Sequence, residues 1–152
     1  MMASTYAVKP GDSLTCQYPF AMFADSGYAI EVHGPNGFYR SFTGRADSRH
    51  VEARTSYEQP GKDLTGNLLV RLRNAAGEPV RVEIRDNAYK TKSVSRRVEA
   101  GQETSVILPL EQCHGWYDYT VAASGSDAEA RFAGRVETGR AGFSDPLMGG
   151  LV

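Results

Sequence analysis

The chain repeats itself at an interval of 90 residues: Val8, Gly11, Pro19, Phe42, Gly44 and Arg45 recur as Val98, Gly101, Pro109, Phe132, Gly134 and Arg135. Between these anchors, residues 27–32 align with residues 116–121 after a slip of one residue, which the following hairpin takes back. A duplicated unit constrains the fold strongly, because a structure assigned to one half must be available to the other. It also narrows function, since scaffolds and binding modules are commonly built by repetition and catalytic constellations rarely are. The expected organisation is one module of two halves: a first copy over 1–60, a second over 61–145 and a tail over 146–152.

Period two dominates both copies. Leu68, Val70 and Leu72 alternate with Leu69, Arg71 and Arg73, and Val80, Val82 and Ile84 alternate with Arg81, Glu83 and Arg85, as half-buried strands require. Asn74-Ala75-Ala76-Gly77-Glu78-Pro79 separates the two runs, and its glycine and proline predict a turn closing an antiparallel hairpin. The same reading places short strands near 5–8, 13–18, 28–33, 38–43, 50–55, 93–98, 103–108, 116–122 and 129–136, about eleven in all. With 16 glycines, 7 prolines and no long 3.6-residue period, the fold class is all-β: an antiparallel, immunoglobulin-like β-sandwich.

One segment conflicts with that pattern. Ser126-Asp127-Ala128-Glu129 is a capping box, and the alanines and glycine that follow, to Gly134, read locally as a helix. Its repeat partner, Gly37 to Gly44, is rich in aromatic residues and follows the Gly34-Pro35-Asn36-Gly37 turn, a strong hairpin signal. Both segments are therefore assigned as strands, the repeat outweighing a propensity difference of about tenths of a kcal/mol per residue.

The second copy is preceded by the run at 67–85, but the first has nothing equivalent before Tyr6. A chain that starts in mid-unit reads as a piece of a longer protein. Strands left without neighbours would expose backbone groups, so a homodimer formed through such strands is a further expectation.

Bulk properties exclude several classes. The 152 residues suffice for a sizeable core. A formal charge of −1 supplies no global field to draw in nucleic acid. No apolar run approaches the roughly 20 residues of a spanning helix, and Met1-Met2-Ala3-Ser4 does not read as a secretory signal. Cys16 and Cys113 fall at non-equivalent repeat positions and read as two idle thiols rather than a disulfide. His33, His50 and His114 are scattered, so neither a metal site nor a cofactor is expected.

Four separated motifs carry a family likeness: residues 33–42 (His33-Gly34-Pro35-Asn36-Gly37-Phe38-Tyr39-Arg40-Ser41-Phe42), Asp86-Asn87-Ala88-Tyr89, His114-Gly115-Trp116-Tyr117-Asp118 and residues 132–139. In this order they closely resemble the C-terminal region of bacterial phosphocholine-preferring phospholipases C, haemolytic and non-haemolytic. The closing Ser144-Asp145-Pro146-Leu147-Met148-Gly149 resembles the end of that family. The resemblance covers nearly the whole chain. It implies exported enzymes, secreted or periplasmic, that hydrolyse phosphatidylcholine or sphingomyelin. In them a catalytic domain resembling alkaline and acid phosphatases precedes two tandem β-rich copies and holds the catalytic residues. By that likeness this chain is a noncatalytic accessory domain whose partner is the catalytic domain of the same polypeptide. The alternative is a carbohydrate- or cell-surface-binding sandwich.

The residues agree with that division. Phosphodiester cleavage needs an activated nucleophile and charge stabilisation at phosphorus, and no nucleophile elbow, zinc-protease pair or phosphate-binding loop occurs in the chain. Ser144-Asp145 before a proline reads as a turn. For contact with a phospholipid membrane surface the candidates are Phe38 and Tyr39 beside the turn, and Arg71, Arg73, Arg81 and Arg85 as a basic patch on adjacent strands, with Glu83 among them. Ordinary hairpin closure and cross-strand ion pairing would explain the same residues. His33, Gly34, Asn36, Gly37, His114, Trp116 and Tyr117 are motif residues without an assigned role, although Trp116, Tyr117 and Tyr119 could line a stacking site. Period two places Tyr117 and Tyr119 together on one face, as core packing would, and Trp116 on the other.

Overall fold

The computed structural model describes residues 3–23, 27–48 and 51–149. Alternation becomes strand wherever a partner strand is present. The described residues form nine β-strands, three short 3₁₀ turns and no α-helix. The strands are β1 (Tyr28–His33), β2 (Tyr39–Gly44), β3 (Val51–Tyr57), β4 (Leu68–Asn74), β5 (Val80–Asp86), β6 (Val94–Val98), β7 (Glu103–Leu108), β8 (Trp116–Ala123) and β9 (Glu129–Arg135). They make two antiparallel sheets, one in the order β1-β2-β9-β8-β5-β6 and one in the order β3-β4-β7. Strands β3 to β9 thus form an immunoglobulin-like sandwich of three strands facing four.

The core lies between the sheets. Leu68, Val70 and Leu72 of β4 and Val106 and Leu108 of β7 meet Val82 and Ile84 of β5, Tyr117 and Tyr119 of β8 and Phe132 of β9. Buried residues alternate with exposed ones along β4 and β5, as the sequence pattern requires. Each such aliphatic side chain contributes about 1.5–3 kcal/mol by leaving water. Residues 129–135 are strand despite their capping box, paired to β8 on one side and β2 on the other.

Two expectations are corrected. Residues 5–8 and 13–18 are not strands; they are exposed and carry no regular structure. Their repeat counterparts β6 and β7 are strands because β5 and β4 pair with them, and no described strand offers the first copy that partnership. Second, β4 and β5 are not a hairpin. β4 pairs with β3 and β7, whereas β5 pairs with β6 and β8, so residues 74–79 cross from one sheet to the other. Two strands facing one core from opposite sheets show the same alternation as two strands side by side. Asn74, wholly buried, holds this crossing: its side chain donates to the carbonyls of Glu78 at 2.7 Å and Val98 at 3.1 Å and accepts from the Ala76 amide at 2.9 Å. The strand expected at 50–55 is found from Val51; His50 lies outside the described residues.

The two copies meet about a local pseudo-twofold. β2 pairs with β9 so that Ser41 faces Arg131, residues 90 apart, and the flanking pairs Arg40–Phe132 and Phe42–Ala130 are mirror-placed about them. Phe42 and Phe132, also repeat counterparts, meet edge to face with ring centres 6.0 Å apart. Each copy keeps its glycine under a tyrosine: a Cβ on Gly44 would lie 2.9 Å from the Tyr28 hydroxyl, and one on Gly134 3.0 Å from that of Tyr117. Close approach requires glycine at both sites.

Candidate functional site

The motif residues converge at one end of the six-stranded sheet, where β1 and β9 end and β2 and β8 begin. Asn36 and Gly37 have φ of 56° and 72°, the paired positive values a two-residue type I′ turn demands. The turn closes with the Phe38 amide donating to the Pro35 carbonyl at 3.1 Å. It is tied to the second copy as well: Asn36 donates to the Glu137 carboxylate at 2.9 Å, and a Cβ on Gly37 would lie 3.1 Å from the Trp116 ring. Gly34 is similarly close-packed on Phe38.

Phe38 is 40% exposed, and the Arg40 guanidinium covers its ring at 4.2 Å. Arg40 points inward and is consumed by structure, donating to the Tyr39 and Ala133 carbonyls at 2.8 Å each and to the Tyr117 hydroxyl at 3.0 Å. Tyr39 lies on the outer face, its ring 4.9 Å from His33 and 5.5 Å from the Arg131 guanidinium. Arg131 in turn grips Asp118 through two bonds of 2.8 and 2.6 Å. Phe38, just before β2, and Tyr39, its first residue, therefore have different surroundings, Phe38 under the inward-pointing Arg40 and Tyr39 on the outer face.

Trp116 stands half-buried beside the turn. Its indole donates to the Phe143 carbonyl at 3.0 Å, and the Arg135 guanidinium lies 5.9 Å from its ring. His114, in the left-handed conformation with φ of 53°, stacks on Phe143 at 4.5 Å. Asn36, Trp116, Arg135, Glu137, Gly142, Phe143 and Ser144 line an open depression of about 290 Å³. Arg135 lies against Gly142, where any side chain would collide, and its Nε is buried without a hydrogen-bond partner. Phe143 and Met148 project from the same tail, 65% and 84% exposed. Phe143 did not stand out in the sequence and Met148 did so only within the closing motif, because the glycine-rich tail has no periodicity to mark a face.

Other candidates have structural duties. Tyr117 and Tyr119 are core residues. Asp145 accepts from the Tyr89 hydroxyl at 3.1 Å and from the Leu147 amide at 3.0 Å, which makes Ser144-Asp145 a turn. Burial, and donation to Asp145, push the Tyr89 phenol far above its ordinary range. Cys16 is exposed and Cys113 buried, both free, and burial raises the Cys113 thiol.

The basic patch does not form as expected. Arg71 and Arg73 lie on the outer face of the three-stranded sheet and Arg81 and Arg85 on that of the six-stranded sheet, because β4 and β5 belong to different sheets. Acidic neighbours break up each group: Arg73 meets Glu52 at 3.6 Å and Arg85 meets Glu129 at 4.0 Å. Arg81 meets Ser95 at 3.4 Å.

Comparison with known proteins places this arrangement. Residues 3–45 and 50–135 match the family described as bacterial phospholipase C, C-terminal domain. The chain belongs to that family. This phospholipase C C-terminal domain is 42% identical over 135 residues to a non-hemolytic phospholipase C of Pseudomonas aeruginosa, a match covering 83% of the chain and 19% of the relative. It is 37% identical over 146 residues to the hemolytic phospholipase C of the same organism, covering 91% and 19%. A non-hemolytic phospholipase C of Burkholderia pseudomallei is 32% identical over 146 residues, covering 94% and 21%. The phospholipase C C-terminal domain therefore spans about a fifth of the length of these relatives.

Proposed function

We propose that the chain is a noncatalytic accessory module of a secreted bacterial phospholipase C that packs beside the catalytic domain of the same polypeptide and brings it to lipid. The observation that carries the reading is the confinement of the match to the C-terminal domain, about a fifth of each relative. The acidic residues of the motifs support it, each being engaged in structure: Asp118 is held by Arg131, Glu137 by Asn36 and Asp145 by the tail turn. Lipid contact is supported by the end of the sheet that carries exposed Phe38 and Phe143 beside half-buried Trp116, with exposed Met148 in the same tail as Phe143, a composition suited to a bilayer interface. Phosphocholine lipids are the substrates expected of the parent enzyme, as its family resemblance implies.

Two measurements test the reading. The isolated chain should show no turnover of a chromogenic phosphocholine ester; turnover above background refutes the noncatalytic assignment. In co-sedimentation with phosphatidylcholine vesicles, retention should persist through a salt series and fall severalfold in Phe143→Ala and Phe38→Ala. Retention only on anionic vesicles, abolished by salt, would instead implicate the arginines of one outer face. No retention on either vesicle refutes lipid contact.

A further inference from the structure

Among the described residues, Arg135 Nε is the buried side-chain nitrogen or oxygen that lacks a hydrogen-bond partner, and no described residue accepts from the rest of its guanidinium. Its neighbours are spent elsewhere. Arg40 donates to two carbonyls and the Tyr117 hydroxyl, and Arg131 grips Asp118. Glu137, two residues along the chain, accepts from Asn36 instead of from Arg135. The guanidinium is nonetheless held in place: it lies over the Trp116 ring at 5.9 Å, and the tail crosses it at Gly142, where a Cβ would overlap it. A positioned guanidinium with no acceptor is preorganised for an oxyanion, and a desolvated donor left without one is costly.

The rest of the depression indicates what else such a ligand carries. Its volume of about 290 Å³ suits a single small molecule. Trp116 and Phe143 supply aromatic surface, while Asn36, Glu137 and Ser144 add an amide, a carboxylate and an exposed hydroxyl. This wall both donates and accepts. Hydroxyl groups, which also do both, complement it, whereas a phosphate offers acceptors alone and would meet the Glu137 carboxylate. A quaternary ammonium fits poorly, because the Trp116 ring already carries the Arg135 cation and would bring like charges together.

We infer that this depression is a binding site for a sugar bearing a carboxylate, presented by a free glycan or by the headgroup of a glycolipid. The Arg135 fork takes the carboxylate, Trp116 and Phe143 meet the apolar face of the ring, and Asn36, Glu137 and Ser144 take its hydroxyls. The inference goes beyond the lipid reading and does not depend on it.

Trp116 is the single tryptophan of the chain, so its emission reports on the site directly. In the 152-residue chain, glucuronic acid should change that emission saturably at millimolar concentrations, with glucose, which lacks the carboxylate, weaker by about 10-fold or more. By NMR the Arg135 Nε–H resonance should shift with glucuronic acid and stay in place with glucose. Arg135→Lys keeps the charge but loses the fork and should weaken glucuronic acid by about 10-fold. Ser144→Ala, an exposed change that spares the fold, should weaken it severalfold. The source is read from phosphatidylcholine vesicles carrying an acidic glycolipid. Retention above that on plain vesicles, competed by free glucuronic acid, assigns the headgroup, and saturable binding of a glucuronic-acid oligosaccharide without such retention assigns the free glycan. Equal affinity for glucose and glucuronic acid overturns the inference, as does tighter binding of phosphocholine or inorganic phosphate. So does the absence of any saturable emission change with the Arg135 resonance unmoved. None of these results alters retention on plain phosphatidylcholine vesicles, and loss of that retention leaves the sugar titration unchanged, so the two readings fail separately.

Discussion

Replacing Asn74 tests whether one buried amide holds the crossing that makes two sheets out of an apparent hairpin. The side chain is wholly buried, and its Nδ2 donates to the Glu78 and Val98 carbonyls at 2.7 and 3.1 Å, with a longer contact of 3.3 Å to Glu99. Its Oδ1 accepts from the Ala76 amide at 2.9 Å, and its own backbone amide donates to Gln102. It therefore clamps the crossing after β4 onto the one between β6 and β7. Asn74→Ala removes three well-formed bonds, each worth about 1 kcal/mol net, so the expected loss is about 3 kcal/mol. For a chain of this length that corresponds to a fall in Tm of roughly 6–12 °C. Urea unfolding followed by tryptophan fluorescence, with calorimetry beside it, measures both. Asn67→Ala, which removes a single part-buried bond to Glu58, is the control and should cost only about 1 kcal/mol. Asn74→Asp sharpens the test, because the carboxylate keeps the acceptor and turns charge toward carbonyls. Burial raises its folded pKa above the unfolded value of about 3.9, so the folded state prefers the protonated form. Stability should then be highest below about pH 4 and fall as the pH rises toward neutrality. A loss below about 1 kcal/mol for Asn74→Ala, or no pH dependence of Asn74→Asp relative to it, would refute the clamp.

Three further outcomes are expected. Gly134→Ala should destabilise by about 1–3 kcal/mol in chemical denaturation, since φ is 151° and the new Cβ meets the Tyr117 hydroxyl at 3.0 Å; adding Tyr117→Phe should recover part of the loss. Asp86 is pushed up by burial, but hydrogen bonds from Ala88, Tyr89 and Thr91 outweigh this and leave it below its ordinary 3.8. Its stabilisation is therefore complete above 3.8 and lost as the pH falls below it, and Asp86→Asn should flatten the acid limb of a stability profile there. In the native 152-residue chain a thiol reagent should titrate Cys16 rapidly and Cys113 only on unfolding; simultaneous reaction of both would contradict the burial of Cys113.

Much of the strand pattern was legible because alternation is local. Leu68, Val70 and Leu72 declare a buried face whatever lies opposite, and Asn36-Gly37 declares its turn because few residues tolerate two positive φ values. Residues 129–135 were legible only through their counterparts, the helix signal there being stronger in isolation than the strand it becomes. At the candidate site the turn, Trp116 and the stretches holding Arg135, Glu137 and Met148 were legible as motifs, while Phe143 was not, and nothing in the sequence said that they gather in one place. Their gathering depends on where the tail returns, and no periodicity encodes that.

Residues 5–8 and 13–18 mark the boundary between the two kinds of knowledge. Their alternation and their turn match β6 and β7, yet a strand exists only with a neighbour to take its hydrogen bonds. The sequence by itself determined the repeat, the all-β class, the buried face of each strand and the family. Only the tertiary structure decided which strands are neighbours. It sent β4 and β5 to opposite sheets, split the four arginines between two outer faces, and joined the copies through β2 and β9. The physical reason is that burial of a face is a property of one strand, whereas pairing is a choice among edges distant in the chain.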